Sequence, residues 1–257
     1  MALILTLLLL NFHPNEDWGA TGHRVIAEVA NKYLTDNSNE KINKILNGET
    51  LVNASTYADD IKSDSRYDSF YDWHFLNMEL DDNYEDVDPS EKGDVFIAIN
   101  KCIDILESDS ASDSDKSFYL KLLVHFVGDL HQPLHIGRYE DRGANRVYVK
   151  WFGRNSNLHR VWDSDMINSY NMSYSELAIN LPNPDFLVFT KEAEGFKRGD
   201  VLDWVNEIHS YTNQIYEGVS IDDKLGYKYQ YENFDTAKEL LLIAGIRLAK
   251  ILNYLFD

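Results

Sequence analysis

The chain has 257 residues, enough for one large domain or two small ones with a substantial core. Its formal net charge of -19 argues against adhesion to nucleic acid through a basic surface, so any nucleic-acid chemistry must bring its own local positive charge. The single cysteine, Cys102, excludes a disulfide within the chain and a cysteine-based zinc site, and its position in an apolar stripe predicts core packing.

The first predicted element is an apolar leader. Residues 2–12 are continuously apolar, too short to span a bilayer, and similar to the hydrophobic part of a signal peptide. A charged segment before them and an A-x-A cleavage site after them are both missing. We nevertheless favour export. The prediction is a signal peptide and spacer over 1–17, a domain over 18–257, a secreted or periplasmic location and no membrane anchor.

Apolar residues at helical spacing predict helices through most of the remaining chain. The predicted helical segments are residues 24–34, 40–46, 93–106, 117–129, 174–180, 199–216 and 235–256. Ser114 or Asp115 is the expected cap of the fourth helix. Residues 79–91 are acidic and aperiodic, which indicates an exposed loop, and residues 147–152 predict a short strand or hairpin ended by Gly153.

Several candidate functional residues are weak when taken singly. His23, in the first turn of a helix, is typical of a solvent-facing histidine. Asp59 with Lys62 is typical of a solvated helix face, and His74, flanked by aromatic residues, of a satisfied core histidine. His209 has no nearby acidic partner in sequence and is expected to be structural or exposed.

The segment from His125 to His135 carries the strongest signal, because three histidines and one aspartate fall within eleven residues. His125 and Asp129 are four residues apart on a predicted buried helix, so their side chains share a face. Pro133 ends that helix, and His135 on the following loop can turn back toward the same point. Histidine and aspartate converging from a rigid helix is typical of zinc binding.

A second pair, His159 and Asp163, repeats the four-residue spacing on another presumed helix. The full set of candidate ligands has five histidines and three aspartates: His23, Asp59, His74, His125, Asp129, His135, His159 and Asp163. One zinc ion needs about four ligands, so this set indicates more than one metal ion. Two or three zinc ions at one site indicate hydrolysis of phosphate esters.

Six short motifs together resemble the zinc-dependent single-strand nucleases of the S1/P1 type over nearly the whole chain after the leader. Each motif is weak alone, but all six occur in the expected order. They are Trp18-Gly-x-x-Gly-His23, Ala58-Asp59, His74-Phe75, His125-Phe-x-Gly-Asp129-x-His-Gln-Pro-Leu-His135, Asp141-Arg-Gly-x-Asn145 and Asn157-Leu-His159-x-x-Trp-Asp163.

The resemblance implies an all-α fold, a single compact helical domain with a cleft that holds three zinc ions. The implied ligands of the first ion are Asp59, His74, His125 and Asp129. Those of the second are His135, His159 and Asp163. Those of the third are His23, a bridging Asp129, and the amino nitrogen and carbonyl oxygen of Trp18, which requires cleavage just before Trp18.

The resemblance also implies an endonuclease that cleaves single-stranded DNA and RNA to 5′-phosphate products and releases phosphate from 3′-nucleotides. Asp59 would orient the attacking hydroxide, and Lys62 would stabilise the transition-state phosphate. Phe75 resembles the base-stacking aromatic, Asn77 stands where some members have a base-reading aspartate, and Asn145 resembles a polar residue near the nucleotide. No obligate protein partner is evident, and we expect a monomer.

Two other functions remain open at this point. A zinc-dependent phospholipase C shares the implied fold and metal set, but its last ligand pair is similar to His-x-x-x-Glu, whereas this chain has His159-x-x-x-Asp163. The alternative, a non-catalytic zinc-binding protein of the cell envelope, needs neither Lys62 beside the metals nor Asn145.

The charge balance predicts an unusual salt dependence. Three zinc ions bring about +6 against about -3 from Asp59, Asp129 and Asp163, which leaves roughly +3 in the cleft, while the remaining acidic surface repels long polyanions. We therefore expect activity on polymeric substrate, measured by release of soluble nucleotides, to rise with moderate salt before metal loss intervenes. A monotonic fall from low salt would contradict this expectation.

Overall fold

A computed structural model describes residues 18–183 and 194–257 of the chain. The predicted leader, residues 1–17, lies outside the described residues. Most of the described chain is helical, which confirms the predicted fold class. The α-helices are α1 (Ala20–Tyr33), α2 (Asp36–Ile45), α3 (Leu51–Ala54), α4 (Tyr57–Asp60), α5 (Val95–Glu107), α6 (Asp113–Leu130), α7 (Leu158–Arg160), α8 (Met166–Ser169), α9 (Tyr174–Ile179), α10 (Asp200–Glu217) and α11 (Tyr227–Phe256).

Shorter helical turns connect these helices near the predicted site. The turns of 3-10 type are Ile61–Ser63, Ser65–His74, Tyr84–Asp86 and Pro133–Ile136, and Val161–Asp165 is a π-helical turn between α7 and α8. Such turns redirect the chain within a few residues, which lets side chains from separate helices meet.

The strand predicted near 147–152 is the first strand of a hairpin. Strands β1 (Tyr148–Trp151) and β2 (Arg154–Asn157) pair antiparallel through a two-residue turn in which Phe152 and Gly153 both have positive φ. A third strand, β3 (Lys224–Leu225), pairs parallel to β1. The sequence did not predict β3, because two residues carry no periodicity.

The core is built around α6, whose C-terminal half is buried from Leu122 onward. Helix α5 packs along α6, and α1 packs along α11. Cys102 is buried in this core, as its apolar stripe predicts. None of the helices in residues 18–183 and 194–257 combines the length and the apolar character needed to cross a bilayer.

Several helices begin earlier than the sequence predicts, including α1 at Ala20 and α2 at Asp36, and two further differences have an identifiable cause. The cap of α6 is Ser112, whose hydroxyl accepts a hydrogen bond from the Asp115 backbone N–H at 3.1 Å, so the expected cap at Ser114 or Asp115 was wrong. Helix α11 begins at Tyr227, two turns before the predicted start at Asp235. Its first turns are held by tertiary contacts, since the Tyr229 hydroxyl accepts from Trp162 Nε1 at 2.9 Å.

The contact between α1 and α11 depends on Gly245. A methyl group there would lie 2.5 Å from Val29 Cβ and 2.8 Å from the backbone oxygen of Ile26. We expect Gly245→Ala to lower the free energy of unfolding by about 1–3 kcal/mol, because overpacking outweighs the better helix propensity of alanine. Thermal unfolding followed by circular dichroism measures this.

The matched control is Gly218→Ala at the end of α10, where the added methyl group would meet its nearest neighbours at 3.7 Å. We expect this variant to stay within about 0.5 kcal/mol of the wild type. Equal stability of the two variants would show that the α1–α11 contact is looser than described.

Candidate metal centre

The centre starts from two side chains on α6. His125 and Asp129 are both fully buried, one turn apart on the same face of the helix. His125 Nε2 lies 3.2 Å from Asp129 Oδ2. A carboxylate and an imidazole are thus held in the protein interior, where water cannot solvate them.

Two further candidates reach the same carboxylate from other elements. His74, at the end of the 3-10 turn Ser65–His74, places Nδ1 2.8 Å from Asp129 Oδ2. Asp59, on α4, places Oδ1 3.4 Å from His125 Nε2 and 4.0 Å from His74 Nδ1. The four residues that the resemblance assigns to one metal ion are therefore brought together.

The second predicted group also converges. Ligand atoms of His135, His159 and Asp163 all lie within 4.8 Å of one another. His135 Nε2 is 3.6 Å from Asp163 Oδ1, and the rings of His135 and His159 stack with centroids 5.1 Å apart. His135 Nδ1 also lies 3.5 Å from Asp129 Oδ1, which joins this group to the first.

The four-residue spacing of His159 and Asp163 predicts that they share one α-helix, and the structure shows that they do not. His159 ends up in the short helix α7, and Asp163 lies in the π-helical turn that follows it. A π turn widens the helix by one residue and changes the direction of the side chains, which is frequent at functional sites.

His23 supplies the third predicted position. Its Nε2 lies 3.4 Å from Asp129 Oδ1, and its ring stacks on that of His125 with centroids 3.8 Å apart. The ring fits because residue 128 is glycine, where a Cβ would lie 2.7 Å from His23 Nδ1. Trp18 is fully buried, and the next residue, Gly19, donates its backbone N–H to the Asp163 carbonyl at 2.9 Å.

Backbone carbonyls fix three of the imidazole rings. Nδ1 of His125 donates to Ser55 O at 2.7 Å, Nδ1 of His135 to His74 O at 2.9 Å, and Nδ1 of His159 to Gly143 O at 2.7 Å. A carbonyl oxygen can only accept, so Nδ1 carries the proton. The other ring nitrogen, Nε2, is thereby left as the atom that could bind a metal ion.

Without a cation, the buried carboxyl and imidazole groups of the cluster have strongly shifted pKa values. Burial raises the pKa of Asp163, and the charges of Asp129 and Asp59 raise it further. Burial alone would lower the pKa of His125, but the Asp129 and Asp59 carboxylates raise it to about 10. Burial lowers the pKa of His74 and of His159 to about 3, so these rings are neutral and able to bind metal.

Buried polar atoms without hydrogen bonds also indicate that this cluster binds cations. Both ring nitrogens of His23, Asp129 Oδ1 and Asp163 Oδ2 are buried without a hydrogen bond. Buried polar atoms normally have a hydrogen-bond partner, so a cluster of imidazole nitrogens and carboxylate oxygens without one needs an explanation. Divalent cations bound by nitrogen and oxygen supply it, and this donor set fits zinc.

Two neighbouring residues of the central motif have structural roles that the sequence did not reveal. The Gln132 side-chain amide donates to Asp163 Oδ1 at 3.0 Å and so orients that carboxylate. His131 points away from the cluster: its Nδ1 donates to Val127 O at 2.7 Å, and its Nε2 lies 3.1 Å from Arg247 Nη1. Burial and the Arg247 charge lower the pKa of His131 to about 3. Six residues after His125, it lies on another helix face.

The cluster opens into a cleft of about 1260 Å³. All four residues predicted to bind substrate, Lys62, Phe75, Asn77 and Asn145, line it. The Asp59 side chain is 26% exposed, whereas those of Asp129 and Asp163 are 0% exposed. Asp59 is therefore the least buried of the three carboxylates.

Lys62 lies beside Asp59, with Nζ 2.8 Å from Asp59 Oδ1. Burial lowers the pKa of Lys62 to about 8, against the raising effect of Asp129 and Asp163. His209, by contrast, is buried on α10 outside these groups, in agreement with a structural role.

Comparison with known proteins connects this geometry to a family. Residues 18–257 match the family model described as S1/P1 Nuclease. The chain is 27% identical to Endonuclease 2 of Arabidopsis thaliana, over 99% of this chain and 96% of that protein. It is 30% identical to Endonuclease 3 of the same plant, over 93% and 89% of the two chains. It is 29% identical to Nuclease P1 of Penicillium citrinum, over 71% and 73%.

A zinc titration tests the metal centre. We expect zinc, added to chelator-treated protein at about 100 times its dissociation constant, to raise Tm by about 5–10 °C. Asp163→Asn should give less than half of this gain, because it removes a ligand. Its metal-free Tm should equal or exceed that of the wild type, because the cost of burying the Asp163 carboxyl group without a cation, which raises its pKa, is removed.

Differential scanning calorimetry and metal analysis give the readout, and Asp203→Asn is the control. Asp203 is an exposed carboxylate on α10, so the same chemical change there should alter neither the metal content nor the zinc-dependent gain in Tm. An undiminished gain in Asp163→Asn would remove Asp163 from the set of ligands.

Proposed function

Because the chain belongs to the S1/P1 nuclease family, we propose that it is a zinc-dependent endonuclease that hydrolyses phosphodiester bonds of single-stranded DNA and RNA. The products would carry a 5′-phosphate, and the same site would release phosphate from 3′-nucleotides. One observation carries the proposal: three groups of histidine and aspartate, two of which share His125, lie close together near Lys62 at a large cleft.

The proposed ligand sets are those that the resemblance implies, and the side-chain contacts described above support them. Asp59, His74, His125 and Asp129 would hold one ion, and His135, His159 and Asp163 a second. His23, Asp129 and the Trp18 backbone would hold a third. The close approach of His23 Nε2 to Asp129 Oδ1, 3.4 Å, supports a shared Asp129. Cleavage before Trp18, which ligation by its amino nitrogen requires, stays a prediction, as does export.

Zinc, when bound, supplies Lewis acidity that lowers the pKa of water and positive charge that offsets charge on phosphate oxygens. The protein side chains would position the attacking water and the phosphate. The partly exposed carboxylate of Asp59 can orient the attacking water and hold its proton. The Lys62 ammonium, held beside Asp59, would stabilise the negative charge that grows on the phosphate in the transition state.

Substrate selection would come from the cleft wall. Phe75 directly follows His74, so a base stacked on its ring would lie next to the metal centre. Asn77 offers an amide to a base edge. Asn145 already uses one N–H of its side-chain amide to donate to Arg142 O at 3.0 Å, so its oxygen and its second N–H remain for a ligand. Stacking requires an unpaired base, which favours single strands over duplex.

The two alternatives have less support. The family match favours nuclease activity over both phospholipase C activity and non-catalytic zinc binding. Release of nucleotides from denatured DNA, compared with hydrolysis of phosphatidylcholine by the same zinc-loaded protein, separates the first two functions. Any zinc-dependent phosphodiesterase activity excludes the third.

The proposed role of Asp59 leads to a direct test. Asp59→Asn keeps the shape of the side chain but removes its charge and basicity. We expect kcat on single-stranded DNA to fall by about 10²- to 10⁴-fold, the range typical of a lost general base. Turnover and zinc content are measured on the same preparation, because Asp59 is also a proposed ligand.

The neighbouring Asp60 provides the control. It is exposed, lies on the same helix and belongs to none of the groups of candidate ligands. Asp60→Asn should keep wild-type turnover within about twofold, as expected for a surface substitution. Wild-type turnover in Asp59→Asn with zinc still bound would refute the role given to Asp59.

A further inference from the structure

The charges that line the cleft are unevenly distributed between two stretches of chain. Residues 71–94 contribute four acidic side chains and one lysine to the lining. Residues 139–160 contribute three arginines and one glutamate. In a protein with a net charge of -19, this second stretch is locally positive. A polyanion that enters the cleft would be attracted to it.

The charged side chains of this second stretch are not equivalent. Arg160 Nε lies 3.3 Å from Asp165 Oδ1, so its charge is partly neutralised. Arg146 is exposed and donates to the backbone oxygen of Glu140 at 2.8 Å. The Glu140 carboxylate is itself paired with Arg138 at 3.3 Å. Arg142 is exposed and lines the cleft, and no ion pair holds its guanidinium within residues 18–183 and 194–257.

The backbone at Arg142 is unfavourable for arginine. Arg142, Gly143 and Ala144 have φ of 56°, 60° and 63°, three successive residues in the left-handed region. Each non-glycine residue there costs roughly 1–2 kcal/mol. Gly143 has to be glycine, since a Cβ would collide with Leu134 O. Arg142 is exposed, so packing does not require its side chain, and glycine would be the cheaper residue.

The turn is held in place by Asp141 and lies next to the metal centre. Asp141 Oδ1 accepts from the Ala144 backbone N–H and from the Tyr216 hydroxyl, each at 2.7 Å. The Gly143 carbonyl accepts from His159 Nδ1 at 2.7 Å. Arg142 is therefore one residue away from the carbonyl that orients a proposed zinc ligand, on a backbone that cannot easily move.

We propose that Arg142, assisted by Arg146, binds a backbone phosphate of the nucleic-acid strand adjacent to the one that is cleaved. The proposal rests on the proposed function and extends it from the reacting phosphate, assigned to Lys62, to the neighbouring nucleotide. A guanidinium suits this role, because it binds phosphate oxygens in a two-pronged geometry. The strained arginine at position 142 would then serve substrate binding, at a cost to folding stability.

The kinetic test uses the zinc-loaded enzyme with two substrates. An oligothymidylate has neighbouring phosphates, whereas a 3′-mononucleotide has only the reacting one. Arg142→Gln and Arg142→Gly should lower kcat/KM for the oligomer by about three- to tenfold more than for the mononucleotide, mainly through KM. The matched control is Arg66→Gln, which removes the same charge from an exposed arginine that does not line the cleft.

A binding measurement does not depend on turnover. Fluorescence anisotropy of a labelled oligothymidylate is recorded with zinc-loaded Asp59→Asn protein, with and without the Arg142 substitutions. The dissociation constant should rise. The slope of the logarithm of the association constant against the logarithm of the salt concentration should become less negative by about 0.7, the value for one lost phosphate contact to a single strand. Arg66→Gln in the same background should leave the slope near that of the parent.

Thermal unfolding is a third test, in which the substitution should improve the measured property instead of impairing it. Arg142→Gly should have a Tm equal to or above that of the wild type, because the strain is relieved. A lower Tm, an equal loss for both substrates, or an oligomer affinity no weaker than that of Arg66→Gln would overturn the proposal. A wild-type protein that hydrolyses neither substrate would refute the proposed function, and the anisotropy measurement alone would then decide the role of Arg142.

Discussion

The Asp129 carboxylate is the constraint on which the rest of the site depends. It is fully buried, and four imidazoles approach its two oxygens: His74 at 2.8 Å, His125 at 3.2 Å, His23 at 3.4 Å and His135 at 3.5 Å. An isolated buried charge is very costly, so such a group persists only where it is paired or binds a metal. The four histidines come from α1, α6 and the 3-10 turns Ser65–His74 and Pro133–Ile136, and all must be in place together.

The surrounding fold makes this arrangement possible by being rigid. Carbonyls of Ser55, His74 and Gly143 hold three imidazoles, and the helices around the site pack closely, α1 on α11 and α5 on α6. A well-packed interior resists displacement. The site retains features that reduce stability, including buried carboxylates, a π turn and a left-handed turn. These costs concentrate where function needs the geometry.

Much of the helical framework was predictable, because apolar periodicity reports which face of a segment is buried. The Cys102 stripe on α5 is an example, and the strand near Tyr148 was predicted separately from its residue types and the Gly153 that ends it. The errors occurred where local signals compete or are absent. Ser112 caps α6 instead of Ser114 or Asp115, since any of these side chains can serve. The early start of α11 depends on contacts of Tyr229 with Trp162, which no local pattern records.

By itself, the sequence determined the chemistry that is available: five histidines and three aspartates in five of six ordered motifs, without a usable thiol, indicate clustered zinc and phosphate-ester hydrolysis. Only the tertiary structure decided which groups meet. It turns His131 toward Arg247, places Asp163 on a π turn, and holds Arg142 in a left-handed turn through Asp141 and Tyr216. The reason is physical: local periodicity reports the face of one helix, whereas these placements depend on contacts between segments far apart in the chain.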